Sequence, residues 1–96
     1  MEFEWDSNKN QRNVAMHGID FNDAKSAFHS NVLNKVDARK DYGEQRLIGL
    51  GQLDGVIIAI VYTIRKNKIR IISARKANYD ERQSYKEKFG EPDRLG

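Results

Sequence analysis

The stretch QLDGVIIAIVYTIRKNKIRIIS, residues 52–73, decides the fold of this chain. Its Asp54-Gly55 pair stands between two runs of β-forming residues. Such a pair supplies the positive φ angles that a two-residue type I′ hairpin turn needs. We predict a central strand over 56–65 and a further strand over 68–75, with a turn at the sequence KNK, 66–68, between them. Two successive hairpins therefore predict an antiparallel sheet.

These turns also determine which side chains share a face, because directly paired residues of an antiparallel ladder lie on the same side of the sheet. With two-residue turns, Leu53 pairs with Val56 and Thr63 pairs with Arg70. The predicted core face carries Leu47, Leu53, Val56, Ile58, Ile60, Tyr62, Ile64, Ile69 and Ile71. The open face carries Glu44, Arg46, Thr63, Arg65, Lys68 and Arg70 at one end, and Ile48, Leu50, Val61 and Ile72 at the other. Arg75 is placed on the core face at a strand end, although a β-bulge would reverse the assignment.

Two short helices are predicted before the sheet. Asp6 is a favourable N-cap for a helix over 7–16, which Gly18 ends in a left-handed conformation. Asp20 caps a second helix over 21–29. The inner positions expected for the first helix are Val14, Ala15 and Met16.

Further strands and a last helix complete the predicted architecture. Residues 32–36 and 44–53 are predicted as strands, and residues 1–5 as an extended segment whose two aromatic rings turn inward. Asn78 begins a capping box for a helix over 79–89, which we expect to be loosely held or completed by a partner because its apolar face is thin. The predicted fold class is α+β, with two short N-terminal helices, an antiparallel sheet of about four strands and a C-terminal helix.

Length and composition limit the possible functions. Ninety-six residues make one domain, predicted over 1–96 with a disordered tail at 91–96. Seventeen Lys and Arg against fourteen Asp and Glu give a net charge of +3, which favours polyanionic partners. There is no cysteine and no metal-ligand spacing of aspartates, so neither a metal nor another cofactor is predicted. The longest apolar run, 56–64, is too short to span a bilayer, and we expect a cytoplasmic protein.

The open face brings Arg46, Arg65 and Arg70 together with Glu44. One interpretation is a solvated sheet face with a Glu44–Arg65 cross-strand pair, worth about 0.2–1 kcal/mol. The other is a phosphate-binding site, because three arginines beside one acid leave excess positive charge and guanidinium groups bind phosphate in a bidentate manner. His17 also has two interpretations. Its charged form either interacts favourably with the dipole at the end of the first helix, or its imidazole transfers protons.

Three segments carry a resemblance to a known family: WDSNKNQRNVAMHGIDFNDA at 5–24, YGEQR at 42–46 and YTIRKNKIRIISARKANYDERQSY at 62–85. With WDxxKxxxNxxxHGI and RIISARxA as its most specific motifs, the sequence resembles the BrnT family of bacterial toxins. The resemblance implies a RelE-like fold and a metal-independent endoribonuclease that inhibits translation. It also implies a type II toxin-antitoxin system, in which a DNA-binding antitoxin neutralises the toxin and represses the operon. Members commonly have a lysine before the His-Gly pair, where this sequence has Met16.

RNA cleavage without a metal needs a base for the 2′-hydroxyl, positive charge at the phosphate and an acid for the leaving oxygen. The predicted catalytic residues are Arg65, Arg70, Glu44 and His17. Contacts to RNA phosphate are predicted for Arg46, Arg75 and Lys68. The alternative is a non-catalytic module that binds nucleic acid or the antitoxin, such as an inactivated toxin that acts in repression. The lack of a well-placed base and the presence of Met16 favour this alternative.

Overall fold

Both predicted turns are present in the structure, a computed structural model that describes residues 1–92. Asp54 and Gly55 have φ angles of 51° and 80°, and Lys66 and Asn67 have φ angles of 50° and 63°. All four residues thus adopt the positive φ values of type I′ turns. The strand register predicted next to both turns is confirmed.

The fold class is α+β, as predicted. The elements are β1 (Glu2–Glu4), α1 (Ser7–His17), α2 (Phe21–Ala24), a 3₁₀ helix (Lys25–His29), β2 (Leu33–Val36), β3 (Leu47–Leu53), β4 (Val56–Arg65), β5 (Lys68–Lys76) and α3 (Tyr79–Phe89). The predicted second helix is therefore one α-helical turn followed by a 3₁₀ helix. The disorder predicted for 91–96 lies, from residue 93 onwards, outside the described part of the chain. No helix within residues 1–92 is long and apolar enough to cross a membrane.

The sheet has five strands in the order β1-β5-β4-β3-β2, which is one more than predicted. The additional strand is β1, which runs parallel to β5 with Glu2 opposite Lys68 and Glu4 opposite Arg70. The other three pairings are antiparallel. The sheet is mixed because the extended N-terminal residues pair their backbone with the edge of β5 that β4 leaves free.

A β-bulge between β4 and β5 leaves Ile72 without a partner in the ladder. Beyond a bulge, the side chains of a strand lie on the opposite face from the one that an uninterrupted ladder predicts. Arg75 accordingly pairs with Ala59, whose side chain belongs to the core under α3. The prediction that Arg75 lies on the inner face is wrong for this reason.

Each face of the sheet carries its own apolar core. On the inner face, α2 and the 3₁₀ helix pack over the sheet, and Phe3, Trp5 and Phe28 pack at its margin. Phe28 contacts the ring of Tyr62 edge-on, with 5.1 Å between ring centroids. The buried members of this core are Ile19, Phe21, Ala24, Ala27, Ile58, Ile60, Tyr62, Ile69, Ile71 and Ala74.

The second core lies under α3, which covers the apolar end of the outer face. Tyr85 is buried there and its hydroxyl donates to the carbonyl of Asn31 at 3.3 Å. Arg75 donates to both carboxylate oxygens of Glu81, at 2.7 and 3.0 Å. The cap at Asn78 forms a complete capping box. These polar contacts hold α3 in addition to its thin apolar face, and its completion by a partner stays a prediction.

The ends of α1 are as predicted, but its inward side is not. The side chain of Asp6 accepts from the Lys9 amide at 3.0 Å, and Gly18 ends the helix with a φ of 71°. Of the expected inner positions, Val14 is 42% exposed, Met16 is 77% exposed and Ala15 is also exposed. No apolar stripe holds this helix to the sheet.

Asn13 is the buried residue of α1. Its Nδ2 donates to the carbonyls of Ile19 and Ala74, both at 2.8 Å, and its Oδ1 accepts from the Ala74 amide at 3.1 Å. Both backbone groups of Ala74 are thus directed away from β4, at the part of the β5 edge that β1 does not reach. An asparagine side chain takes the place of a neighbouring strand there, and so positions α1.

Candidate functional site

The predicted cations of the central hairpin lie at one end of the outer sheet face. Arg65 is opposite Lys68, and Thr63 is opposite Arg70, where β4 turns into β5. Arg65 and Lys68 are exposed, and Arg70 is half-buried. We call these three cations the cationic end. The register therefore confirms that they share the open face.

Two acidic side chains that sequence reasoning did not place there partly neutralise the cationic end. Parallel pairing of β1 brings the Glu4 carboxylate to 3.1 Å from the Arg70 guanidinium and the Glu2 carboxylate to 3.5 Å from the Lys68 amine. The alternation of acids and aromatics in the first residues was the signal for this strand. The prediction of three arginines beside a single acid is therefore wrong.

Glu44 and Arg46 lie in the loop before β3, not in the strand that was predicted over 44–53. The Arg46 guanidinium stacks over the Tyr42 ring at 3.9 Å from its centroid, and its Nε is 3.5 Å from the Glu44 carboxylate. The predicted Glu44–Arg65 pair does not form. Instead, Glu44 and Arg65 both line one open recess.

This recess lies at the end of β4 and has a volume of about 320 Å³. It is lined by Glu44, Gln45, Leu47, Thr63, Ile64 and Arg65. The Thr63 hydroxyl donates to the Gln45 carbonyl at 2.7 Å, which ties the loop to the strand. Within residues 1–92, Arg65 has no carboxylate at ion-pairing distance. Its guanidinium is therefore free to bind an anion in the recess.

Asp37 holds the loop that carries Glu44 and Arg46, a role that sequence reasoning missed. Its side chain is buried and accepts from the Nε and Nη2 atoms of Arg39, both at 2.8 Å. Its backbone amide donates to the Arg46 carbonyl at 2.8 Å, and the Tyr42 hydroxyl lies 3.5 Å from its carboxylate. The hydrogen bonds from Arg39 lower the pKa of Asp37 to about 2. The only sequence signal was an arginine two residues after an aspartate, which is weak.

The structure separates two of the predicted site residues from the recess. His17 ends α1 and lies in a groove beside the bulge of β5. Arg75 forms its bidentate contact with Glu81, which is 5% exposed, and this contact holds the pKa of Glu81 below its usual value. Arg65, Arg70, Lys68, Arg46 and Glu44 remain together at the end of the sheet.

The chemistry that this arrangement supports is the binding and charge stabilisation of a phosphate. The guanidinium of Arg65 is exposed, and that of Arg70 is held in orientation by Glu4. No group of three His, Asp or Glu side chains that could hold a metal ion occurs within residues 1–92. Glu44 is the carboxylate that lines the recess, so it is the local group able to orient or accept a proton.

Fold and surface together define a small α+β protein with a cationic sheet end and an anion-accessible arginine. A family model described as "Ribonuclease toxin, BrnT, of type II toxin-antitoxin system" matches residues 5–81. The chain therefore belongs to the BrnT family of ribonuclease toxins, as the motifs predicted. A search of curated proteins gives no match to this chain.

Proposed function

We propose that this chain is an endoribonuclease toxin that cleaves RNA without a metal ion and so inhibits translation in the cytoplasm. A DNA-binding antitoxin neutralises it and represses the operon. The observation that carries the proposal is the guanidinium of Arg65, which has no ion pair within residues 1–92, lines the recess together with Glu44 and shares the open sheet face with Arg70. Membership of a ribonuclease toxin family supports the choice of RNA as substrate.

In the proposed mechanism the recess binds the phosphate at the cleavage position. Arg65 donates two hydrogen bonds to the non-bridging oxygens, a geometry that suits guanidinium groups. Arg70 adds positive charge as the attacking 2′-oxygen forms the pentavalent phosphorane, and Arg46 contacts a neighbouring phosphate. Glu44 orients the 2′-hydroxyl or accepts its proton. The contact of Arg75 with Glu81 supports a role in holding α3, and Lys68 supplies a peripheral charge.

The leaving 5′-oxygen is bonded to the phosphate that the recess binds, so in this proposal Glu44, once it carries the proton of the 2′-hydroxyl, donates a proton to that oxygen. His17 lies in a separate groove at the end of α1, so its two interpretations, proton transfer and a favourable interaction with the helix dipole, are tested directly. Replacing His17 with Gln distinguishes the two roles. Loss of cleavage with an unchanged thermal midpoint supports proton transfer, whereas unchanged cleavage with a lower thermal midpoint supports a favourable interaction with the helix dipole.

The direct test is cleavage of a labelled RNA in EDTA by the parent, Arg65→Ala and Arg70→Ala, with Lys88→Ala as a matched loss of one exposed charge on α3. We expect cleavage by the parent in EDTA and a loss of roughly 100-fold in Arg65→Ala, the scale for removing one donor that stabilises developing charge. Circular dichroism establishes that each variant is folded. Equal cleavage by Arg65→Ala and Lys88→Ala would refute the recess as the active site.

The second candidate function is a non-catalytic module that binds nucleic acid or the antitoxin. The observation that favours it is that His17 lies outside the recess, which leaves Glu44 as the local proton-transfer group. Such a module would bind RNA with a steep dependence on salt and leave it intact. Cleavage-free binding by the parent, in the presence and absence of ribosomes, would select this function.

A further inference from the structure

A second basic surface lies on α1, outside the recess. Lys9, Arg12 and Met16 are spaced so that they share one side of the helix, and His17 follows at its end. Together with Ile72 and Ser73 of β5 they line a groove of about 300 Å³. We call this the α1 groove.

The α1 groove forms where the edge of β5 is no longer paired with β1 and is not yet bonded by α1. β1 ends at Glu4, opposite Arg70, and the side chain of Asn13 binds the edge again at Ala74. The bulge at Ile72 lies between these two positions. The edge is therefore not available for an added strand at Ala74, because both its backbone groups are already bonded.

The charges of the α1 groove differ from those of the cationic end. Within residues 1–92, neither Lys9, Arg12 nor His17 forms an ion pair, whereas Arg70 and Lys68 both do. All three groove side chains belong to exposed residues.

The groove also adjoins the cationic end. Asp6, which caps α1, is close enough to both Arg12 and Arg70 for their charges to contribute to the lowering of its pKa, after the larger effect of the Lys9 amide hydrogen bond. Ile72, which lines the α1 groove, also follows Arg70 by two positions on β5, so the groove begins next to the cationic end. A bound phosphate backbone could therefore reach both Arg70 and the cations of the α1 groove.

We propose that the α1 groove binds the phosphate backbone of single-stranded RNA that extends from the recess. This proposal rests on the ribonuclease function proposed above, because that function supplies the RNA. From Lys9 to His17 the helix rises by about 12 Å, which matches an extended polyanion better than a single anion. An acidic protein segment is disfavoured because strand addition is blocked at Ala74 and Met16 projects into solvent without forming a deep apolar pocket.

The test measures binding of a fluorescent 2′-O-methyl oligouridine, which cannot be cleaved through its 2′-oxygen, by anisotropy over a series of salt concentrations. The variant is Lys9→Gln/Arg12→Gln, and the control Lys76→Gln/Lys88→Gln removes the same charge from exposed positions on β5 and α3. Each lost contact lowers the slope of log K against log salt by about 0.7. The double variant should therefore lose about 1.4 from the slope and bind roughly 25-fold more weakly at ~0.1 M salt.

A gain-of-charge variant tests the same surface in the other direction. Met16 is 77% exposed, so Met16→Lys adds a cation to the α1 groove without disturbing a packed side chain. One added phosphate contact should raise the slope by about 0.7 and tighten binding roughly fivefold at ~0.1 M salt. Circular dichroism spectra identical to that of the parent establish that the helix is intact in each variant.

Each outcome separates this inference from the proposed function. If Lys9→Gln/Arg12→Gln binds like the control pair, the inference is wrong even where the parent cleaves RNA. If the groove variants change RNA binding as expected but the parent cleaves nothing, the groove stands and the ribonuclease proposal fails. A parent that does not bind the oligouridine at all overturns the inference. A poly-glutamate peptide serves as a second ligand in the same assay. The inference is also wrong if Lys9→Gln/Arg12→Gln no longer binds this peptide but binds RNA as tightly as the parent does.

Discussion

Replacing Asn13 with Ala should destabilise the protein far more than its position on a largely exposed helix suggests. Asn13 is 6% exposed, and its amide makes three hydrogen bonds, two as donor to carbonyls and one as acceptor from the Ala74 amide. The orientation of the amide is determined by these partners, because a carbonyl can only accept and a backbone amide can only donate. The substitution leaves three backbone groups without their partner.

The expected cost follows from those contacts. A hydrogen bond contributes about 0.5–1.5 kcal/mol net, and a buried polar group left unsatisfied costs about 1–3 kcal/mol. Water that enters beside α1 recovers part of this penalty, so we expect a loss of about 3 kcal/mol in the free energy of unfolding. For a domain of this size that corresponds to a fall of roughly 12–24 °C in the thermal midpoint.

Urea unfolding, followed by Trp5 fluorescence and by circular dichroism, measures this loss. Gln11→Ala on the exposed side of α1 is the control and should stay within about 0.5 kcal/mol of the parent. Asn13→Asp adds a second comparison, since its carboxylate would face the carbonyls of Ile19 and Ala74. Burial raises the pKa of such a group in the folded state, so its destabilising effect should diminish as pH falls and grow as pH rises. A loss below about 1 kcal/mol in Asn13→Ala would refute the edge-binding role.

Three further predictions concern the loop at Asp37, the packing of β3 at Gly51 and the turn at Lys66. The pKa of Asp37 is lowered from 3.8 to about 2 by Arg39, so its contribution to stability is complete above about pH 4 and is lost as pH falls towards 2. Because the Arg39 side chain is 63% exposed and solvent screens the pair, we expect it to contribute about 1 kcal/mol to the free energy of unfolding. Urea unfolding should therefore show a smaller loss of stability between pH 4 and 2 in Asp37→Asn than in the parent. Gly51→Ala places a Cβ 3.0 Å from the Ala27 carbonyl oxygen and should cost about 1–3 kcal/mol in urea unfolding, so an unchanged midpoint would contradict this packing. Lys66→Asn should stabilise the turn by about 0.5 kcal/mol, since asparagine tolerates a φ of 50° better than lysine, and any destabilisation would count against the type I′ geometry.

The turns and the register beside them could be predicted because their determinants are local. Asp54 and Gly55 are adjacent residues whose own conformational preferences select the turn. Once the turn is known, the pairing of Leu53 with Val56 follows from chain geometry alone. The caps at Asp6 and Asn78 were predictable for the same reason, since a cap is a bond between residues three apart.

Two of the contacts that were missed join residues distant in sequence. Glu4 reaches Arg70 across 66 positions, and Asn13 reaches Ala74 across 61. The residues next to Glu4 and Asn13 in the sequence do not indicate these contacts, since an alternating acid and aromatic pattern or a mid-helix asparagine occurs in many other structures. The bulge at Ile72 likewise has no sequence signal, yet it moves Arg75 to the other face of the sheet. Local pattern therefore predicted the face on which Arg65, Lys68 and Arg70 lie, but not the ion pairs that they form.

Under the proposed function, these ion pairs determine which cations are available to bind RNA phosphate. A guanidinium that already binds a carboxylate, as Arg75 binds the buried Glu81, gains little from a phosphate, because it must first leave an acid that would remain buried and charged. Arg70 and Glu4 are more exposed, so their pair is weak and the exchange for phosphate costs less. Arg65 and Arg12 have no such pair within residues 1–92. The order in which these arginines should matter for RNA is therefore the unpaired ones first, Arg70 next and Arg75 last.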